Sequence, residues 1–232
     1  MSTRSQQIAE GLADVKGRIE LAAQKAGRNP SEISLVVVTK TFPLSDLEIL
    51  YSLGERNFGE NRIADGAEKQ TQLPDDINWH FQGQIQSNKI RKLLSWAEVI
   101  HSLDDLDHAK RIHDLTPVGE AIECFIQVSL DPRSDSSTRG GVWPEDLSAF
   151  VTYAAQFERI NLRGLMAVAP LGEVPDLAFH RLSEIHQRTV KECASLPEPL
   201  LGLSAGMSGD FESAIAHGAT LVRIGSSILG LR

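Results

Sequence analysis

The chain has 232 residues, of which 41% are hydrophobic and 23% charged, and this composition is typical of a folded globular domain rather than a disordered, collagen-like or disulfide-stapled chain. The 31 acidic residues outnumber the 23 Lys and Arg, and the net charge of −8 disfavours broad binding to nucleic acid or to an anionic membrane. That charge leaves a small molecule as the expected partner. Cys124 and Cys193 lack CxxC spacing, and no long apolar run is present, so we expect a cytoplasmic protein.

The predicted elements begin with an amphipathic helix, whose apolar residues recur at helical spacing: Ile8, Leu12, Val15, Ile19 and Ala22. Eight short apolar segments typical of buried strands follow, at residues 33–39, 57–58, 79–82, 99–102, 124–129, 162–168, 200–204 and 221–224. Signals for helix starts lie between them: capping boxes at Ser45 and Ser102, and Pro144 at an expected first helical position.

Alternation of apolar strands with helices implies a parallel sheet that is covered on both faces. Eight repeats in a chain of this length predict an α/β fold, the (β/α)8 TIM barrel with an additional N-terminal helix, as a single domain over residues 1–232. An open, doubly wound sheet is the structural alternative, since the second segment has only two residues. The polar, glycine-containing residues 131–141 predict a mobile loop after the fifth strand.

Lys40 directly follows the first apolar segment, and active sites of such barrels lie at the carboxyl ends of the strands. A lysine among apolar neighbours loses hydration, which lowers its pKa and lets the neutral amine attack a carbonyl to form a Schiff base. The alternative is a structural lysine that pairs with a carboxylate such as that of Glu60.

Segments that contain glycine and serine follow the last two strands, at residues 204–208 (SAGMS) and 223–227 (RIGSS). Glycine lets the backbone approach an anion, hydroxyls donate hydrogen bonds, and a helix N-terminus offers free N–H groups. Barrels commonly bind phosphate at this position, although two ordinary serine-capped turns would have the same composition. Together with Lys40, such a phosphate site would hold an aldehyde that carries a phosphate, and pyridoxal 5'-phosphate has this form.

Five segments of the sequence closely resemble the pyridoxal phosphate homeostasis proteins, the YggS/PROSC family. They are FGEN (58–61), WHFQGQIQSNK (79–89), LRGLMA (162–167), SAGMSGDFESAI (204–215) and VRIGSSILG (222–230), and the resemblance runs from about residue 8 to the end. It implies a fold like the N-terminal barrel of alanine racemase, with pyridoxal phosphate bound as an internal aldimine.

The resemblance also implies roles for individual cofactor-binding residues. Lys40 matches the aldimine lysine, Arg223 would face the pyridine nitrogen, and Asn61 would line the cofactor. The residues around the phosphate would be Ser204, Met207, Ser208, Gly225 and Ser226. Arg139 stands where some relatives carry a lysine, which puts a role for a second lysine in doubt.

The function that this resemblance implies is to buffer, protect or deliver pyridoxal phosphate in intracellular vitamin B6 homeostasis, without robust catalysis and without a catalytic residue. An arginine opposite the pyridine nitrogen stays cationic and can only donate, which blunts the electron sink. The chain ends at Arg232, so we expect no C-terminal domain of the kind from which racemases obtain their second acid/base, although Tyr51 or Tyr153 could serve internally. The alternatives are an amino-acid racemase or related pyridoxal phosphate enzyme, and an aldolase-type Schiff-base enzyme that needs no cofactor.

The expected partners are the cofactor and transient apo-enzyme acceptors, with no nucleic acid and no membrane, and we expect a monomer. The seven histidines contain no HExxH motif and predict no metal site. His80 lies inside the apolar WHFQ segment and is expected to be a core histidine with satisfied hydrogen bonds, while a place near the site is the alternative.

Overall fold

A computed structural model describes residues 2–132 and 140–230, and its eight parallel strands form a closed barrel. In chain order the strands are β1 Ser34–Val38, β2 Asn57–Glu60, β3 Asn78–Phe81, β4 Val99–Leu103, β5 Ile122–Gln127, β6 Ile160–Met166, β7 Gly202–Ser204 and β8 Leu221–Ile224. Each strand pairs with the next, and β8 closes the barrel on β1, with Ser34 opposite Leu221 and Val37 opposite Ile224. This closure confirms the predicted (β/α)8 barrel and excludes the open sheet.

The described residues form nine α-helices around the strands. They are α1 Arg4–Lys25, α2 Leu44–Ser52, α3 Ile63–Gln70, α4 Ile90–Leu93, α5 Leu106–Leu115, α6 Leu147–Ala154, α7 Pro175–Glu192, α8 Phe211–Ala216 and α9 Ser226–Leu229. Helix α1 is the predicted additional helix; its predicted apolar face is buried, and it packs against α8 and α9. In the described ranges, none of these helices is both long and apolar enough to cross a membrane.

The second strand is longer than the two apolar residues that predicted it, because Gly59 and Glu60 continue it. Gly59 leaves room for the side-chain amide of Gln82, which a Cβ atom at this position would displace. Glu60 is fully buried and pairs with a lysine, as described below. The criterion of apolar side chains therefore ended the predicted strand too early.

The three predicted helix starts are each displaced. Helix α2 begins one residue before Ser45, after Pro43, whose ring fixes the backbone, and no side chain caps it. Asp105 caps α5 by accepting a hydrogen bond from the His108 N–H, whereas the Ser102 hydroxyl donates to the Gly83 carbonyl. Pro144 lies in a turn, and α6 begins only at Leu147.

The predicted loop at 131–141 lies largely outside the described residues, because 133–139 are among those not described.

The inside of the barrel has an apolar layer and a polar layer. The apolar layer is formed by Val36, Val99, Phe125, Met166 and Leu221. Because side chains alternate along a strand, the next inward residues on β4 and β8 are His101 and Arg223, both buried. The polar layer therefore lies nearer the carboxyl ends of the strands, where barrels of this type carry their sites.

Candidate functional site

A cavity of about 350 Å³ lies at the carboxyl ends of β1, β7 and β8, and Lys40 is part of its lining. The side chain of Lys40 is exposed, because the chain leaves β1 and turns at residues 40–41. The expectation that apolar neighbours enclose this lysine is therefore wrong. Thr41 has a φ of 69°, the one positive φ at a non-glycine position among the described residues. For a β-branched residue this conformation costs on the order of 1–3 kcal/mol, and such strain is concentrated at functional sites.

Glu60 pairs with Lys69 and not with Lys40, so the predicted pairing of Lys40 with Glu60 is wrong. The Lys69 Nζ atom lies 2.6 Å from Glu60 Oε1 and donates to the Thr39 carbonyl oxygen at 2.9 Å. The Thr39 hydroxyl donates to the same Glu60 oxygen at 2.7 Å. Glu60 and Lys69 therefore fix Thr39, the residue that precedes Lys40, and leave the Lys40 amine free of this carboxylate.

Replacing Glu60 by alanine is expected to lower the free energy of unfolding by about 3 kcal/mol, because the largely buried Lys69 cation would lose its counter-charge. Urea unfolding at pH 7 measures this difference. Glu68→Ala is the matched control, because Glu68 lies at an exposed position of α3, the helix that carries Lys69. Its free energy of unfolding should stay within about 0.5 kcal/mol of the wild type. Equal stabilities of the two variants would contradict the anchoring role of Glu60.

Arg223 lines the cavity from β8, and only 4% of its surface is exposed. Its Nη1 donates to the Ser204 hydroxyl oxygen at 2.6 Å and its Nη2 to the Ala167 carbonyl oxygen at 3.1 Å. Burial lowers the pKa of Arg223 to about 10, and the charge of Asp210 opposes this shift, so the guanidinium stays cationic at neutral pH. No carboxylate of the described residues forms an ion pair with it, so the cavity contains a buried positive charge that an acceptor group of a ligand could meet.

Ser204 is fully buried behind Arg223 and is not part of the cavity lining. Its hydroxyl oxygen accepts from Arg223 and lies 2.9 Å from Nδ1 of His101. The predicted direct contact of Ser204 with a phosphate is therefore not supported by its position, because the arginine lies between it and the cavity. Ser204 instead contacts the group that would face the ligand.

The other predicted residues of β7 and β8, namely Met207, Ser208, Gly225 and Ser226, all line the cavity together with Lys40 and Arg223. Within the described ranges, the hydrogen bonds leave the backbone N–H groups of Gly225 and Ser226 without an acceptor. A Cβ atom at Gly225 would lie 2.8 Å from the Val38 carbonyl oxygen, so glycine is needed to keep this turn close to β1. Free N–H groups beside serine hydroxyls fit an anion.

Asn61 lies one residue beyond β2, is exposed and is not part of the lining. Gln82, one residue beyond β3, lines the cavity instead, and its Nε2 atom is buried without a hydrogen-bond partner. The sequence signal for Gln82 is its place at the end of the third apolar segment, which is the same signal that identified Lys40. Arg139 lies outside the described residues.

Neither tyrosine that could act as an internal acid or base lines the cavity. The Tyr51 hydroxyl donates to Asp76 at 2.8 Å, and Tyr153 packs edge-on against Phe157. Among the described lining residues, Lys40 and Arg223 are the ones with ionisable side chains. The geometry thus offers one amine, one fixed cation and a set of N–H and hydroxyl donors.

Similarity to known proteins extends over nearly the whole chain. Residues 12–232 match the family described as alanine racemase, N-terminal domain. The chain is 40% identical to the pyridoxal phosphate homeostasis protein of Pseudomonas aeruginosa, over 97% of this chain and 96% of that protein. It is 37% identical to the protein of the same name from Mycobacterium leprae, over 98% of this chain and 93% of that protein.

Two groups of solved structures share the fold. PipY of Synechococcus elongatus, in a structure with PLP bound, superposes with a TM-score of 0.82 at 33% identity and covers 96% of this chain and 100% of that one. An alanine racemase of Clostridium difficile has a TM-score of 0.72 at 15% identity, covering 98% of this chain and 57% of that one, which shows a shared fold alone. By identity, length and fold, the chain belongs to the pyridoxal phosphate homeostasis protein family, which is built on the alanine racemase N-terminal barrel.

Proposed function

We propose that the protein binds pyridoxal 5'-phosphate in the cavity at the ends of β1, β7 and β8, and that it buffers or delivers this cofactor in vitamin B6 homeostasis. The observation that carries the proposal is the content of this one cavity, which combines Lys40, the cation of Arg223 and the free N–H groups of Gly225 and Ser226. The names of the relatives and the PLP bound to PipY support it.

The described residues fit the phosphate and the ring of this cofactor. The phosphate would accept hydrogen bonds from the N–H groups of Gly225 and Ser226 and from the hydroxyls of Ser208 and Ser226, residues that all line the cavity. Arg223 would donate to the ring nitrogen with a guanidinium that Ser204 and Ala167 already hold. The cavity of about 350 Å³ lies within the range of small-molecule sites.

Lys40 would form the covalent link, because it is the one lysine among the described lining residues. When bound, pyridoxal phosphate supplies an aldehyde that condenses with an amine to a C=N bond and releases water. Lys40 must lose its proton before it can attack, and its exposed position gives solvent access for that proton. Glu60 and Lys69 keep Thr39, and thereby the start of this turn, in place.

The proposed protein is a binder without robust catalysis. Arg223 can donate a hydrogen bond to the ring nitrogen but does not protonate it, so a bound cofactor withdraws electrons only weakly. Among the described lining residues, Lys40 and Arg223 are the only ionisable groups, and Arg223 stays protonated. Lys40 is therefore the one group of this lining that could exchange a proton with a substrate. Both observations support storage and hand-over rather than catalysis. We also propose transient apo-enzyme acceptors as protein partners and a monomer as the working form.

Titration of the purified chain with pyridoxal phosphate tests this function. We expect a visible absorption band and, after borohydride reduction, a gain of one cofactor in mass. Pyridoxal without phosphate should bind about tenfold more weakly or worse, because each lost charge-assisted contact contributes about 1.5–3 kcal/mol. A protein that stays colourless and gains no mass would overturn the proposal, and equal affinities for the two vitamers would overturn the phosphate site.

The same loaded protein distinguishes a binder from a racemase. Incubated with L-amino acids in D2O, it should exchange α-protons no faster than free pyridoxal phosphate and form no D-amino acid. Rapid exchange with accumulation of D-amino acid would instead establish the enzyme.

A further inference from the structure

Two buried histidines lie inside the barrel behind the cavity, His80 on β3 and His101 on β4. Nδ1 of His101 is 2.9 Å from the Ser204 hydroxyl oxygen, and its Nε2 is 2.9 Å from Nδ1 of His80. Nε2 of His80 is 3.2 Å from Oδ1 of Asn57, at the amino end of β2. A continuous chain of hydrogen bonds thus joins Arg223, beside the cavity, to the opposite end of the barrel.

The acceptor oxygen of Asn57, at one end, sets the direction of this chain. The oxygen of Asn57 can only accept, so His80 must carry its proton on Nε2 and accept on Nδ1. His101 must then donate from Nε2 and accept on Nδ1, and the Ser204 hydroxyl must donate to it. At the other end the guanidinium can only donate, and it donates to the remaining lone pairs of Ser204. All four links therefore run from Arg223 toward Asn57.

The surroundings of the histidines favour the neutral forms that this direction requires. His101 is fully buried, stacks on Phe125 with a ring separation of 4.9 Å, and is next to the Arg223–Ser204 pair. Burial, with His80 and the charge of Arg223 as smaller contributions, lowers the pKa of His101 well below its usual value. Burial lowers the pKa of His80 to about 4. A second cation beside the buried guanidinium would be costly, so both rings act as fixed dipoles.

We propose that His101, held by His80, is a positioning residue that locks Arg223 toward the ring nitrogen of the bound cofactor. His101 holds the hydrogen of the Ser204 hydroxyl away from Arg223, so that Ser204 presents only lone pairs to the guanidinium. Without this acceptor the hydroxyl can rotate, and its hydrogen competes with the Nη1 donor of Arg223 for the same oxygen. The inference rests on the proposed function for its ligand, while the direction of the chain is a property of the free protein.

Nitrogen-15 NMR of the free, full-length protein with labelled histidine tests the direction without any cofactor. His80 and His101 should both be neutral Nε2–H forms at pH 7, and the loss of one such signal in each of His80→Gln and His101→Gln assigns them among the seven histidines. A proton on Nδ1 of either ring, or a charged ring at pH 7, would overturn the inference. This result does not depend on whether pyridoxal phosphate binds.

A double-mutant cycle on pyridoxal phosphate affinity tests the positioning role. His101→Leu should weaken binding about tenfold in the wild-type background and should have no effect when Arg223 is replaced by alanine, because the histidine acts through that arginine. His101→Gln can accept from Ser204 and donate to His80, and it should restore affinity. His180→Leu, on the exposed face of α7, is the control for a general histidine loss.

Additive effects of His101→Leu and Arg223→Ala would show a merely structural role and overturn the proposal. If His101→Leu does not fold, His101→Phe keeps the contact with Phe125 and removes the same acceptor. If the wild type itself does not bind pyridoxal phosphate, the proposed function fails, and a confirmed Nε2–H pair would still establish the hydrogen-bond chain on its own.

Discussion

Lys40→Ala is expected to abolish covalent attachment of pyridoxal phosphate. After borohydride reduction, the wild-type chain should gain the mass of one reduced cofactor on the peptide that contains Lys40, and the variant should gain none. The reason is that no other lysine of the described residues lines the cavity. Intact-mass spectrometry followed by peptide mapping measures the effect. Non-covalent retention should persist, since Arg223 and the N–H groups of Gly225 and Ser226 are unchanged.

Lys110→Ala is the matched control for this prediction. Lys110 is exposed on α5 and pairs with Asp114, away from the cavity, so its loss should leave the reduced adduct intact. Two results would refute the assignment: an adduct that survives in Lys40→Ala, or a wild-type adduct that maps to Lys89 or Lys110.

The free energy of unfolding is expected to fall by about 3 kcal/mol between pH 7 and pH 4 through His80 alone, because its pKa of about 4 in the folded protein lies below the ordinary 6.5. Above pH 6.5 neither state binds the proton, so the stability that neutral His80 supports is complete. As the pH falls from 6.5 toward 4, the unfolded chain takes up the proton and the folded protein does not, so stability is lost across this window.

Other groups also titrate in this range, so the measurement compares urea unfolding of the wild type with that of His80→Gln. Glutamine can accept from His101 and donate to Asn57, and it cannot take up a proton. The variant should therefore show the shallower loss of stability between pH 7 and pH 4, and the two losses should differ by about 3 kcal/mol at pH 4. Parallel pH curves for the two proteins would show that His80 is not buried in its neutral form.

The fold was largely predictable because parallel barrel strands are buried on both faces and therefore have mostly apolar sequences. The β8 segment was predicted at its observed limits, Leu221–Ile224, since its outward residues meet the helices and its inward Leu221 meets the apolar layer. The β2 strand was not, because a glycine and a paired glutamate occupy its second half. Local composition does not show that the side chain of Gln82 packs on this glycine or that Lys69 pairs with this glutamate, since both partners lie outside the strand.

The candidate site was predictable where a residue follows a strand end and was not where side-chain direction or pairing decides. Lys40, Arg223 and Gly225 come together in one cavity as predicted. The exposure of Lys40, the pairing of Glu60 with Lys69 and the place of Ser204 behind Arg223 depend on the tilt and stagger of the closed barrel. Asn61 and Gln82 both lie one residue beyond a strand end, and sequence position alone does not show that Gln82 lines the cavity and Asn61 does not.

The apolar layer of Val36, Val99, Phe125, Met166 and Leu221 has a consequence for how a cofactor could be exchanged. In the part of the chain that the structure describes, this layer lies inside the barrel toward the amino ends of the strands, so a cofactor bound in the cavity would enter and leave at the carboxyl ends. Loading and unloading are then successive events. A recipient enzyme would have to dock at the opening through which free cofactor enters. The recipient and the free cofactor would therefore compete for access to that opening.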